Sequence, residues 1–409
     1  MRSDSRTRQY FIPPYIFRNL VEKGDSRFRN RAIRSLTIRA RLQGRREILS
    51  QIGLSSPVGE KYRTVFDAKE GRYLPGTLVL SEGQPSSNDE KINAVYENLG
   101  IVYDFFREVF GRNSIDNRGQ RLIATLHFDN DFDNAFWDGR QLVFGDGDGV
   151  LFQGLSRSLG VLAHELSHGV IQYASDLGPQ DESGALAESW ADVFASLVKQ
   201  YHQNQDVSDA TWLVGRHILG PGIKGQAVRS LKEPGTAYDD PILGKDPQVS
   251  NFRNFVNTDE DRGGVHINSG IPNRAFYLVA KQLGGYAWED AGKIWYDALH
   301  RFQRETDFVS AANATYQVAG ELYGQGSDQQ QAVVNAWEEV GVRVQTRGSS
   351  RRRASRSAPA SVSSSSGAKQ GQSNGNGHGA NASSEDIEGI RQSLDSLRQK
   401  VEGLAPLSN

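Results

Sequence analysis

The chain has 409 residues, 37% of them hydrophobic, and a formal net charge of −2. That is enough to bury the cores of two lobes, and too balanced to argue for binding to nucleic acid or to a membrane surface. It has no cysteines, which excludes disulfides and thiol chemistry, and no apolar stretch long enough to span a bilayer.

Residues 1–50 carry 13 Lys and Arg against 4 Asp and Glu, a surplus of 9. Composition alone reads this as a solvated or nucleic-acid-binding arm. Tyr10–Val21 is short and interrupted by Pro13, Pro14 and Arg18, so it does not read as a secretory signal. The expectation is a precursor that is cytoplasmic as synthesised, with non-classical secretion left open. From Lys61 to Gly149 the pattern is mainly β. Strands are predicted over Arg63–Ala68, Thr77–Ser81, Leu122–Phe128 and Leu142–Phe144, with one long helix near Asp89–Phe110.

From Gly154 to Val344 helical periods dominate. The first helix carries VLAHELSHGVIQYAS over Val161–Ser175. His164 and His168 are four residues apart and so share one helix face, where two imidazoles can hold one zinc ion. Glu165 between them can reach a metal-bound water. The pentapeptide alone also fits a helix with two ordinary histidines. Its apolar flanks, Val161, Leu162, Val170 and Ile171, argue for a buried helix in which an unmetallated pair would be costly.

The next helix, Glu182–Lys199, repeats apolar residues at helical spacing, yet places Glu188 and Asp192 on one face. Carboxylates on an apolar helix need a partner. With Glu188 as third ligand, two His and one Glu leave a fourth position open, which is the catalytic rather than the structural arrangement. Asp192 is placed to accept a hydrogen bond from a ligand imidazole and fix its tautomer. Further helices are predicted over Asn273–Leu283, Ala287–Arg301, Ser310–Tyr323 and Asp328–Val340.

After Val344, residues 346–384 have the composition of a disordered linker. In 385–405 a short helix carries Ile387, Ile390, Leu394, Leu397, Val401 and Leu404 at spacings of three and four, a coiled-coil seam of nearly three heptads. Such a helix is marginal alone. Residues 387–404 are expected to self-associate, to pair with a partner helix, to fold back, or to remain a solvated tail.

HELSH followed by GALAES-W-A-D resembles the thermolysin family of zinc metallopeptidases. DNAFWDG (133–139), VRSL (228–231) and DRGGVHINSGIPN (261–273) resemble further segments of that family, in the same order, so the resemblance covers roughly Glu60 to Val344. It implies a two-lobed α+β fold, with a β-rich N-terminal lobe over 57–153, a helical C-terminal lobe over 154–345 and the zinc site at their junction. The activity implied is a zinc-dependent endopeptidase acting on protein or peptide substrates. By the same resemblance His266 is an oxyanion donor oriented by Asp261, Arg229 holds a substrate carbonyl, and Asn134 with the backbone of Ala135 holds the substrate chain extended. Phe152, Leu155, Val161 and Val228 look similar to the lining of the primary pocket, which implies cleavage on the N-terminal side of bulky hydrophobic residues. FIPPYIFRNL (11–20) resembles the short propeptide of the protealysin-like subgroup. That reading makes 1–50 a basic pro-segment lying across an acidic cleft, with cleavage near Leu49–Pro57.

Three departures from the family pattern stand out. Pro179 occupies the position of a tyrosine that helps to stabilise the oxyanion, and proline cannot donate. Ala187 replaces a residue, commonly Asn, that supports a ligand His. Gly160, Lys199 and Val207 occupy acidic positions of the family's double calcium site, so that site is predicted absent; a calcium ion elsewhere, for example near the acidic Asp146–Asp148 turn, stays open. The alternative to an active peptidase is a catalytically weak or retired peptidase fold that acts as a binding or scaffold protein through its coiled-coil tail.

Overall fold

The computed structural model describes residues 9–43, 60–130 and 132–346. In chain order these form β1 (Gln9–Tyr10), α1 (Pro14–Lys23), α2 (Ser26–Gln43), β2 (Arg63–Asp67), β3 (Thr77–Ser81), α3 (Glu90–Phe110), β4 (Leu122–Leu126), β5 (Ala135–Trp137) and β6 (Leu142–Phe144). Then follow α4 (Leu159–Ala174), α5 (Asp181–Gln203), four two-residue strands β7 (Leu213–Val214), β8 (Arg229–Ser230), β9 (Asp239–Asp240) and β10 (Gly244–Lys245), and five helices. These are α6 (Asp261–Asn268), α7 (Gly270–Leu283), α8 (Asp290–Leu299), α9 (Phe308–Tyr323) and α10 (Asp328–Glu339).

The β-rich half is a six-stranded mixed sheet of order β1-β5-β6-β4-β2-β3, in which β4 runs parallel to both β2 and β6. The alternating residues of β2 and β4 turn Val65, Ala124 and Leu126 into the core, where α3 packs. Asp89 caps α3 by accepting the Lys91 amide at 2.7 Å, and Gly111 ends it at φ 65°. β4 stops at Leu126, two residues short of the predicted Phe128, because His127 takes φ 53° and leaves the pleat.

In the helical half, α4 packs lengthwise on α5. Both helices are buried nearly all round, as their apolar sequences require: every residue from Val161 to Ile171 is buried. α5 is held by stacked indoles. Trp190 lies 5.7 Å from Trp295, which lies 6.3 Å from Trp337. The Trp190 indole donates to the Trp295 carbonyl at 3.0 Å. The predicted helix Ala287–Arg301 is shorter, α8, because Gly284 and Gly285 take positive φ and Glu289 is non-helical. The ribbons β7–β8 and β9–β10 carry no period that a sequence reading can detect, since each strand has two residues.

The basic N-terminal segment adds β1 to the sheet edge, antiparallel to β5, with Tyr10 opposite Phe136. Pro13 and Pro14 then start α1 at a position where a missing N–H costs nothing. α2 is tied down by Arg31, which makes a two-pronged contact to Asp133 at 3.0 and 2.6 Å, and by Arg34, 2.5 Å from Asp129. Both carboxylates are buried. Arg18 pairs with Glu260. All three partners of these arginines are carboxylates outside the N-terminal segment. The expected cleavage region Leu49–Pro57, the linker over 346–384 and the helix over 385–405 lie outside the described residues (Thr346 is the last of them).

Candidate active site

α4 brings His164 and His168 to one face, and α5 lays Glu188 against them. His164 Nε2 and His168 Nε2 are 3.0 Å apart, and Glu188 Oε2 is 3.5 and 3.6 Å from them. Three ligands about 2.0–2.1 Å from a tetrahedral zinc are separated by about 3.3 Å, so this triangle fits the ion. All three residues are buried, and neither Glu188 oxygen has a hydrogen-bond partner. A buried carboxylate left in this way calls for a cation. Among the described residues this is the only group of three or more such side chains with metal-ligand spacing.

The protein groups polarise one another. Against its burial, the Asp192 and Glu188 carboxylates lift His164 to about 9. Burial pushes His168 down to about 4 and Glu165 up to about 8. Although burial opposes its charge, His266 and His168 hold Glu188 well below the usual carboxylate range. Zinc removal by a chelator is therefore expected to destabilise the fold. At free zinc about a hundred times Kd the lost stabilisation is about 2.7 kcal/mol, read as a lower Tm that returns when zinc is restored. An unchanged Tm would argue against the site.

Asp192 has more partners than the one predicted. Its Oδ1 lies 2.8 Å from His164 Nδ1, and Asn273 donates to its Oδ2 at 3.0 Å. Arg229, from β8, donates to both oxygens at 2.8 and 3.0 Å. One carboxylate thus fixes a candidate metal ligand and the arginine beside it. Glu165 is held from β5, whose Trp137 amide donates to Oε2 at 2.8 Å, while Oε1 is buried without a partner. That tether comes from a backbone N–H, which no residue type announces. Arg262 is a further missed group: its Nη2 is 3.7 Å from Glu188 Oε1.

His266 stands on α6 after a run of left-handed residues, Asp261 (φ 50°), Arg262 (57°), Gly263 (89°) and Gly264 (69°). This turn lets Asp261 reach back to His266, with oxygens 2.9 and 3.0 Å from Nδ1 and a third contact to the His266 amide at 3.0 Å. A Cβ on Gly263 would come within 2.3 Å of an Asp181 oxygen and 2.9 Å of its backbone. Gly263→Ala is expected to cost about 1–3 kcal/mol in thermal or denaturant unfolding, from left-handed strain and this clash.

The N-terminal segment lies extended through the cleft. His266 Nε2 is 3.1 Å from the Tyr10 carbonyl oxygen. Arg229 donates to the Phe11 carbonyl at 2.9 Å, and the Phe11 amide donates to the Ala135 carbonyl at 3.2 Å. Asn134 accepts from the Ile12 amide at 2.8 Å and donates to its carbonyl at 3.1 Å. The Phe11 ring is buried, edge-on to His164 at 5.2 Å and under the Arg229 guanidinium. Phe152, Leu155, Val161 and Val228 are all fully buried in the same apolar cluster; Phe152 faces Phe17 of α1, and Val228 meets Gly215 beside the Phe11 ring. Of the positions that depart from the family pattern, Pro179 is part-buried and packs its carbonyl on Gly184, and Ala187 is buried. Gly160 and Lys199 line one cavity, while Val207 donates its amide to Gly285.

A buried two-histidine, one-carboxylate site with a carboxylate base beside it, set in a cleft that grips an extended chain, defines a zinc metalloendopeptidase. The thermolysin metallopeptidase catalytic-domain family matches residues 50–172, and the family's alpha-helical domain matches 175–342. Protease PrtS of Photorhabdus sp. (strain Az29) is 43% identical over 353 residues, 84% of this chain and 95% of that protein. An extracellular metalloprotease of Pectobacterium carotovorum subsp. carotovorum is 45% identical over 335 residues, 81% of this chain and 96% of its own. Among solved structures, the precursor of protealysin, a metalloproteinase from Serratia proteamaculans, superposes with a TM-score of 0.76 at 44% identity, covering 82% of this chain and 99% of that one. The chain belongs to the thermolysin metallopeptidase family and is protealysin-like.

Proposed function

We propose that this metalloendopeptidase is made as a latent precursor and cuts on the N-terminal side of bulky hydrophobic residues. The observation that carries both parts is the pose of Tyr10–Ile12: a peptide bond beside His266, followed by an aromatic side chain in a buried seat under Arg229. In this reading a substrate takes the same backbone contacts once the pro-segment has gone, and the residue in the Phe11 seat supplies the new N-terminus. His164, His168 and Glu188 hold the zinc, which when bound supplies Lewis acidity toward the carbonyl and an acidified water. Glu165 takes the proton on Oε1 and passes it to the leaving amine. His266, oriented by Asp261, donates to the developing oxyanion. Arg229 and Asn134 hold the chain.

Pro179 removes one oxyanion donor, a loss that can cost about 100-fold in rate, so a modest turnover number belongs to the proposal. We also infer no dependence on the family's double calcium site. Pro179 and Ala187 motivate the competing reading, a retired fold that binds partners through 387–404. Incubating purified chain with and without a zinc chelator separates the two. The peptidase reading predicts loss of the N-terminal segment and cleavage of casein before Phe or Leu, both stopped by the chelator. A zinc-loaded, pro-segment-free protein that cleaves nothing would favour the scaffold. Synthesis in the cytoplasm with non-classical export remains part of the proposal; the word extracellular in the name of the Pectobacterium relative supports export.

A further inference from the structure

Away from the zinc cleft lies a cavity of about 610 Å³ between the start of α4, the end of α5 and β7. Its lining includes five basic side chains, Arg157, Lys199, His202, Arg216 and His217, and no Asp or Glu. Among the described residues neither Arg157, Lys199 nor Arg216 forms an ion pair. Lys199 is half-buried, and its ammonium donates only to neutral oxygens, Thr211 Oγ1 at 3.1 Å and the Leu213 carbonyl at 3.2 Å. Burial, with the charge of Arg216 adding to it, pushes Lys199 down to about 8. The first turn of the 16-residue helix α4 lines the same cavity and brings the positive end of its dipole there. Like charges gathered round a hollow repel one another unless an anion sits among them.

We propose that this cavity is a binding site for a small multivalent oxyanion, with Lys199 at its floor and Arg157 and Arg216 at its mouth. A cavity of this volume takes an organic molecule rather than a bare ion in close fit, so the class is a small molecule carrying several carboxylate or phosphate groups. The cavity lining holds none of the candidate metal ligands nor Glu165, His266 or Arg229, and it meets the cleft at β7, where Val214 pairs with Arg229 and a Cβ on Gly215 would meet the Phe11 ring.

The test is calorimetric titration of the full-length zinc-loaded chain with tricarballylate and with inorganic phosphate, at ionic strength matched by sodium chloride, with zinc content measured before and after. Saturable one-to-one binding of at least one probe is expected, with zinc retained. Binding of tricarballylate alone assigns a polycarboxylate, and binding of phosphate alone a phosphate ester. Lys199→Gln should weaken binding about 10-fold or more, the loss of one charge-assisted hydrogen bond. Should that variant fail to fold, the exposed pair Arg157→Gln and Arg216→Gln, made together, carries the same expectation. Heats no larger than those of chloride for both probes, or unweakened binding by the folded variants, would overturn the proposal.

Discussion

Replacing Glu165 by Gln is expected to lower casein hydrolysis by about 10²–10⁴-fold, the usual worth of a positioned general base, while zinc content stays at one per chain. The side chains are nearly isosteric, and Glu165 lies outside the His164–His168–Glu188 triangle, so the amide removes proton transfer without removing a ligand. The Trp137 amide that now donates to Oε2 at 2.8 Å still finds an oxygen acceptor in the amide, which keeps β5 in place. Zinc titration and mass measurement on the same preparation complete the experiment. Full activity in the zinc-loaded variant would remove Glu165 from the mechanism. Lost activity together with lost zinc would leave its role undecided between ligand support and catalysis, and a Glu165→Asp variant, which keeps a carboxylate but shortens it, would then resolve the two.

The second large effect is expected at Phe11. Cutting its buried ring back to a methyl group should cost about 3–5 kcal/mol of pro-segment docking, the range for deleting a core aromatic. That loosens the closed state by about two to three and a half powers of ten. The activity of the intact Phe11→Ala precursor on a small peptide should approach that of protein matured with trace trypsin, whereas the wild-type precursor should stay far below it. If the two precursors are equally silent and trypsin awakens both, α1 and α2 rather than Phe11 hold the cleft shut. The contacts of Arg31 and Arg34 with buried Asp133 and Asp129 would then be the next to remove.

Much of the site was legible because its chemistry depends on residue type at fixed spacing. His164, Glu165 and His168 declare themselves through one helical turn. Glu188 and Asp192 do so as carboxylates on an apolar face. The roles expected of His266, Arg229 and Asn134 required resemblance, since nothing in their spacing links them to α4. What escaped were relations rather than residues. The hold of Trp137 on Glu165 runs through a backbone amide, and the three-way use of Asp192 depends on β8 and α7 arriving at α5 from distant parts of the chain. The strand β1 was missed because two residues have no period, although the basic charge that carries them to the acidic edge was visible. Helices α3, α9 and α10 and strands β2, β3 and β6 were found to within two residues, whereas α5 runs four residues past the predicted Lys199, α7 starts three before Asn273, and α2 was not predicted, its apolar period being diluted by arginines.

On the proposed reading, in which the N-terminal segment keeps the enzyme latent until it is cut, the way Tyr10–Ile12 occupies the cleft also sets how the precursor awakens. While the segment is covalently joined, its local concentration at the cleft is on the order of millimolar, whatever the amount of protein in solution. After a single cut between segment and enzyme, that figure falls to the bulk concentration of released peptide. Activation is then governed by volume: a cut precursor stays silent where it is crowded and turns on where it is diluted.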